Sequence, residues 1–221
     1  MNRGPIADSV RLVIFDLDGT LIDSKYDIAA SVNLTLGDLD LPTLPPEQIF
    51  TFVGDGVKRL LRLSVGEENV ARYEEALRIF RGHYLEHCLD NTQLYPGLDR
   101  LFDGRDTRMK ALATNKSLEY TLRIVEGLKV KDRFAAIKGP LDQSDLKPDP
   151  GMVWRILEHL SVRPEAAVLV GDSTNDVRAA QAAGVHSCAV GYGYGNREKV
   201  LALQPDYYCE KPSDLLSLLF G

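Results

Sequence analysis

Two carboxylates two residues apart, Asp16 and Asp18, follow an apolar run in Val10-Arg11-Leu12-Val13-Ile14-Phe15. A β-strand sends alternate side chains to opposite faces, so Asp16 and Asp18 are expected to project the same way. Gly19 then permits a sharp turn, and Thr20 adds a hydroxyl. Carboxylates held that close each resist ionising unless a cation or a shared proton is present. A second acidic cluster, Gly171-Asp172-Ser173-Thr174-Asn175-Asp176, ends the apolar run Ala167-Val168-Leu169-Val170. Asp176 suits the start of a helix, where Ser173 or Thr174 would cap, as well as it suits a site. Asp172 precedes the cap and has no such structural task. Between these clusters, Met109-Lys110-Ala111-Leu112-Ala113 runs into Thr114-Asn115-Lys116, and Lys147 lies between Leu146 and Pro148-Asp149-Pro150. A Thr hydroxyl, an Asn amide and a Lys ammonium are donors suited to phosphoryl oxygens. The prolines fix the backbone that carries Lys147.

These elements imply a layout. Strands are expected at residues 10–16, 109–114, 134–137, 167–170 and 185–190. Helices are expected near 118–127, 151–159, 174–182 and 213–220. Such alternation predicts an α/β fold, a doubly wound parallel sheet with helices on both faces. Ligands in these sheets bind beyond the carboxyl ends of the strands, where Asp16, Asp18, Thr114 and Asp172 all fall. Residues 23–93 break the alternation and read as helices only. Val70, Tyr73, Leu77, Phe80 and Tyr84 keep a spacing of three and four, as do Ile28, Val32, Leu36 and Leu39. The expected organisation is a core of residues 1–22 and 94–221 with an inserted α-helical cap of residues 23–93. The chain would cross between them near 21–24 and 92–97, with Tyr95-Pro96-Gly97 as a hinge beside a turn.

The four pieces, in this order, resemble the motifs of the haloacid dehalogenase superfamily of phosphohydrolases. Asp16-Leu17-Asp18-Gly19-Thr20 matches its first motif and Thr114-Asn115 its second. Lys147-Pro148 matches the third and Gly171-Asp172…Asp176 the fourth. The dehalogenases that named the superfamily lack the second aspartate, so Asp18 favours phosphoryl chemistry over carbon–halogen cleavage. The resemblance implies Asp16 as nucleophile and Asp18 as general acid and base. It implies Thr114, Asn115 and Lys147 as phosphate-binding residues. It implies Mg²⁺ held by Asp16, Asp172 and the backbone carbonyl of Asp18, with Asp176 behind them. The insert corresponds to a cap that closes over the pocket and excludes water. The same intermediate would serve a phosphosugar mutase of the β-phosphoglucomutase type. A phosphoacceptor switch or scaffold also combines acidic pairs, a Thr and a Lys on a parallel sheet, though without a large insert.

Within the cap, Val53-Gly54-Asp55-Gly56 precedes Lys58, Arg59 and Arg62 in a segment that is otherwise acidic. Cations after a Gly-rich turn suit an anionic substrate, and a solvated helix face suits them too. The turn resembles that of phosphoglycolate phosphatases, as do Asn115-Lys116 and Gly191-Tyr192. Lys58 and Arg59 are therefore candidate specificity residues, and 2-phosphoglycolate is the leading substrate. Gly191-Tyr192-Gly193-Tyr194-Gly195 has no βαβ unit after it and reads as a pocket-rim loop, not a dinucleotide site. His83 and His87 lack a third ligand nearby and read as helix surface. Trp154 is expected to pack a helix against the sheet.

Composition limits the remaining possibilities. The 221 residues are 44% hydrophobic with a net charge of −6, which favours a packed globular protein and disfavours a nucleic-acid partner. No apolar run approaches ~20 residues, so no membrane span is expected. Residues 1–9 carry no apolar signal region, and Cys88, Cys188 and Cys209 show no metal spacing. They read as free thiols, and the cytoplasm is the expected compartment. The expected partner is a small phosphorylated metabolite, and the expected assembly a monomer or homodimer.

Overall fold

The structure, a computed structural model, describes residue 6 and residues 9–220. The chain runs β1 (Leu12–Phe15), β2 (Ile22–Asp23), α1 (Lys25–Asp38), α2 (Pro46–Phe50), α3 (Val57–Val65), α4 (Tyr73–His87) and β3 (Gln93–Leu94). It continues through β4 (Met109–Ala113), α5 (Leu118–Gly127), β5 (Ala136–Lys138), α6 (Gly151–Leu160), β6 (Ala167–Gly171) and α7 (Thr174–Ala183). It ends with β7 (His186–Val190), α8 (Arg197–Ala202), β8 (Tyr207–Cys209) and α9 (Pro212–Phe220).

Six strands form one parallel sheet in the order β5-β4-β1-β6-β7-β8. β1 is central, with Ile14 opposite Ala111 on β4 and Leu169 on β6. All four β1 residues are buried, as a strand covered on both faces requires. Alternation then sorts them. Leu12 and Ile14 pack with Met152 and Ile156 of α6 and Ala179 and Ala180 of α7. Val13 and Phe15 face the opposite layer, which holds Tyr120 and Ile124 of α5 and Leu215 of α9. The sheet is therefore wound on both faces, and β1, β4 and β6 point their carboxyl ends at one region.

Helices α1 to α4 lie between β2 and β3, and α1 packs chiefly against α4. Their buried residues Val32, Leu36, Leu61 and Phe80 belong to the same apolar cluster as Val13 and Phe15. Where the chain leaves and re-enters the sheet domain, β2 and β3 pair antiparallel, Ile22 with Leu94 and Asp23 with Gln93. Tyr95 N also donates to Leu21 O at 3.0 Å.

Several elements differ from expectation. β1 stops at Phe15, before Asp16. The sixth strand β8, the β2–β3 ribbon and α8 were not anticipated; at two, three and six residues they are too short for a periodic signal. Val70 falls in a 3-10 segment that precedes α4. Trp154 is 53% exposed, because α6 buries Met152, Val153, Ile156 and Leu157 and turns Trp154 outward. The three cysteines are free thiols; Cys188 and Cys209 approach to 4.0 Å between neighbouring strands. Among the described residues, no helix is long and apolar enough to cross a membrane.

Candidate active site

The loop after β1 is a tight turn built around one carbonyl. Leu17 O accepts from Thr20 N, Leu21 N and Ile22 N. Leu17 is buried in the core, and Asp16 and Asp18 on either side of it line a cavity of about 100 Å³. The expected alternation thus persists beyond the last strand residue. Gly19 has φ +79°, and a Cβ there would lie 2.6 Å from Asp172 Oδ2. The turn and the second acidic cluster can meet because that Cβ is missing.

Lys147 lies at the centre. Its Nζ is 2.8 Å from Asp16 Oδ1 and 2.6 Å from Asp176 Oδ1, and the residue is buried. Burial alone would lower its pKa, but Asp16 and Asp176 together outweigh that effect and raise it. Asp176 does both things the sequence allowed. Its Oδ2 accepts from Ser173 N at 3.0 Å and Ser173 Oγ at 2.6 Å, completing a capping box on α7, while Oδ1 fixes Lys147.

Asp172 Oδ2 accepts from Tyr194 N at 2.6 Å and Gly195 N at 3.0 Å, and Thr20 Oγ1 lies 3.4 Å from Oδ1. The Gly191–Gly195 stretch is therefore a wrap around Asp172. A Cβ on Gly193 would sit 2.3 Å from Asp172 Cβ, and one on Gly195 1.9 Å from Asp172 O.

Desolvation, aided by neighbouring carboxylates, raises Asp16 to about 6 and Asp172 to about 7. Lys147 opposes the first shift, and the Tyr194 and Gly195 amides oppose the second. Oxygens of Asp16, Asp172 and Asp176 all lie within 4.8 Å of one another. Asp16 Oδ1 is buried without a hydrogen bond of ordinary geometry among the described residues. Four carboxylates (Asp16, Asp18, Asp172, Asp176) face two ammonium groups (Lys116, Lys147), a formal charge of −2. A hard divalent cation with oxygen ligands fits this donor set.

Thr114 Oγ1 accepts from Lys116 N at 3.2 Å, which leaves the hydroxyl proton for a ligand. The Asn115 side chain bonds to backbone groups. Its Oδ1 accepts from Lys147 N at 2.7 Å, and its Nδ2 donates to Lys147 O and Gly54 O, both at 3.1 Å. The side-chain amide is occupied in positioning Lys147 and in holding the turn before α3. Lys116 bridges Asp18 Oδ2 at 3.1 Å and Tyr84 OH of α4 at 2.6 Å. Asp18 Oδ1 accepts a short hydrogen bond from Ser24 Oγ.

The helical side of the cavity is formed by Val53, Gly54, Val57, Leu60, Phe80 and Tyr84. Lys58 and Arg59 are absent from it. On α3 the buried positions are Leu60, Leu61, Ser64 and Val65, which turns Lys58, Arg59 and Arg62 outward. Arg59 pairs with Asp55 at 3.0 Å, and all three cations line a separate exposed groove with Gln143 and Glu67. Their side chains thus lie on an exposed face outside this cavity. His83 and His87 pair separately with Asp38 and Asp90.

Sequence reasoning gave no role to Ser24, Tyr84 or Tyr194. Ser24 lies just past the first motif but in no motif position, and Tyr84 lies far in sequence from the motifs and is brought in by packing. For Tyr194 the Gly-x-Gly-x-Gly spacing was the one available signal.

Residues 13–190 match the family model described as haloacid dehalogenase-like hydrolase. The chain is 38% identical to a phosphoglycolate phosphatase of Chromobacterium violaceum over 194 residues, 85% of this chain and 87% of the relative. It is 34% identical to one of Aquifex aeolicus, covering 95% and 97%. A crystal structure of a predicted phosphoglycolate phosphatase from Haemophilus somnus superposes with a TM-score of 0.87 at 25% identity, over 95% of this chain and 98% of that one. With the motifs, the sheet order and the acidic centre in agreement, the chain belongs to the haloacid dehalogenase-like hydrolases.

Proposed function

We propose that the protein is a Mg²⁺-dependent phosphatase of a small phosphate monoester, with 2-phosphoglycolate the leading substrate. The observation that carries the reading is the clamped Lys147 beside Asp16 and Thr114, in an acidic centre whose charge is not balanced. Mg²⁺ bound by Asp16, Asp172 and the Asp18 carbonyl would supply the missing countercharge and polarise the phosphoryl oxygens. Asp16 attacks phosphorus and forms an aspartyl-phosphate as the bond to the leaving oxygen breaks. Asp18 gives that oxygen a proton, then takes one from the water that hydrolyses the intermediate. Thr114 and Lys147 stabilise the transferring group. Asp176 keeps Lys147 in place, and residues 23–93 act as a lid that excludes water.

The substrate reading rests on three supports. The relatives are named for phosphoglycolate, the cavity is small, and Lys116 offers a cation on the leaving-group side. The deciding experiment is a panel of phosphorylated metabolites assayed for inorganic phosphate, with and without chelator. Release from small anionic esters in Mg²⁺, lost in excess chelator, is expected. No release from any ester, full activity in chelator, or transfer to a sugar hydroxyl without phosphate release overturns the reading.

A further inference from the structure

Helix α1 begins without its ordinary cap. Ser24 occupies the N-cap position, yet its hydroxyl makes no capping bond and turns instead to Asp18 Oδ1. The first amide groups of a helix need an acceptor. Two of them, at Ser24 and Lys25, find it in Tyr194, on the loop after β7. The phenol oxygen accepts from Ser24 N at 2.7 Å and Lys25 N at 3.2 Å, and its proton goes to Asp23 Oδ1 at 2.9 Å. The backbone of the same residue holds Asp172 through the 2.6 Å bond from Tyr194 N. Residues 23–25 are the corner at which the chain leaves the sheet domain for the helices.

We propose that Tyr194 is a positioning residue whose phenol pins the Ser24 and Lys25 amides, and so holds Ser24 where its hydroxyl reaches Asp18 rather than the Tyr26 and Asp27 amides that a capping serine would bind. One side chain thereby ties the seat of α1 to the carboxylate read above as acid and base, and this link rests on that reading. Without the phenol, the corner at residues 23–25 shifts or the loosened Ser24 hydroxyl turns to the Tyr26 and Asp27 amides. In either case Asp18 loses its orienting hydrogen bond while the phosphate-binding groups stay where they are.

The test uses Tyr194→Phe, Ser24→Ala and the double variant of the full chain. Tyr194→Phe keeps the ring and the amide that holds Asp172. Amide exchange at Ser24 and Lys25, read by NMR, should rise at least about tenfold, with β6 amides unchanged. With a hydrolysed ester in Mg²⁺, kcat should fall roughly tenfold or more and KM by less than about threefold. In the Ser24→Ala background, Tyr194→Phe should cost less than about threefold further, because both changes remove the same link. Fully additive losses, or a loss confined to KM, overturn the link to Asp18. Unchanged exchange at Ser24 and Lys25 overturns the pinning by the phenol whether or not the wild type turns over an ester. A wild type that turns over none overturns the proposed function, and the exchange result still decides the pinning.

Discussion

Lys147 shows why residue type and spacing reveal a site better than any single motif does. A lone lysine between prolines is an ordinary loop residue. Placed 2.8 Å from Asp16 and 2.6 Å from Asp176, it is the countercharge that lets two buried carboxylates coexist. Asp16, Asp18, Thr114, Lys147, Asp172 and Asp176 were legible because each stands at a strand end or helix start that the sequence marks. What each side chain bonds to was not legible. Asn115 looked like a phosphate donor, and only the fold shows its amide bound to the Lys147 backbone. Asp16→Asn keeps the shape of the site but replaces the carboxylate proposed as its nucleophile. Turnover should drop more than ~10³-fold with the unfolding midpoint little changed, and a folded variant with a tenth of wild-type activity would contradict the mechanism. Two cations, Lys58 of α3 and Lys116 after β4, make the opposite case. Lys58 faces an outer groove and Lys116 the cavity. Lys58→Glu should change kcat/KM for 2-phosphoglycolate less than about threefold, while Lys116→Met should lower it roughly ten- to a hundredfold. Equal losses in the two variants would return Lys58 to the site.

At the scale of elements, long periodic segments declared themselves and short ones did not. α5, α6, α7 and α9 carry enough apolar repeats to be read within a residue or so of their bounds. The β2–β3 ribbon has two residues a side, and pairing alone defines it. The ribbon is reinforced by a residue that no motif contains. Asp27, buried in the first turn of α1, accepts from Asn91 N, Asn91 Nδ2, Thr92 N and Thr92 Oγ1 at 2.7–3.0 Å. One carboxylate binds both passages of the chain. Asp27→Asn puts a donor where several donors converge and should cost about 2–3 kcal/mol, measured by urea unfolding; a change below about 0.5 kcal/mol would show that the ribbon holds without it. A second clamp steadies the loop that carries Lys147. Arg155 donates to both oxygens of Asp145 at 2.7 and 2.6 Å, and Leu141 N to one of them at 2.8 Å. Arg155, against the opposing effect of burial, holds the Asp145 carboxyl below its usual range. A depressed carboxylate contributes its stability above about pH 4, its unfolded value, and loses it as pH falls through the folded one. Arg155→Met should therefore cost about 1 kcal/mol at pH 7, since the pair is partly exposed, and the difference from wild type should vanish in acid. A difference that stays constant with pH would assign the effect to packing alone.

The whole molecule divides its labour between a polar floor and an apolar roof. Everything charged in the cavity rises from the sheet side, while Val53, Val57, Leu60 and Phe80 close it from the helical side. The roof is anchored where Tyr84 and Tyr120 meet edge to face at 5.1 Å, across α4 and α5, and where Asn115 holds Gly54 O. A phosphoryl group common to all substrates would be handled by the floor, so the roof is left to sort leaving groups by size. Nothing in the sequence marks these roof residues as different from other core positions, because their task depends on a surface that is assembled only when the helices fold over the sheet. Leu60 is the residue to alter, being buried, apolar and in contact with the cavity. Leu60→Ala should enlarge the cavity at a cost of roughly 2–4 kcal/mol in stability. The extra room should favour bulkier esters, since a missing side chain in an apolar pocket is worth about 1–3 kcal/mol of discrimination. The ratio of kcat/KM for phenyl phosphate to that for 2-phosphoglycolate should rise at least about tenfold, mostly through the phenyl ester. Both values falling together would mean that the roof acts only to exclude water, and an unchanged ratio with unchanged rates would mean that it does not close over the substrate at all.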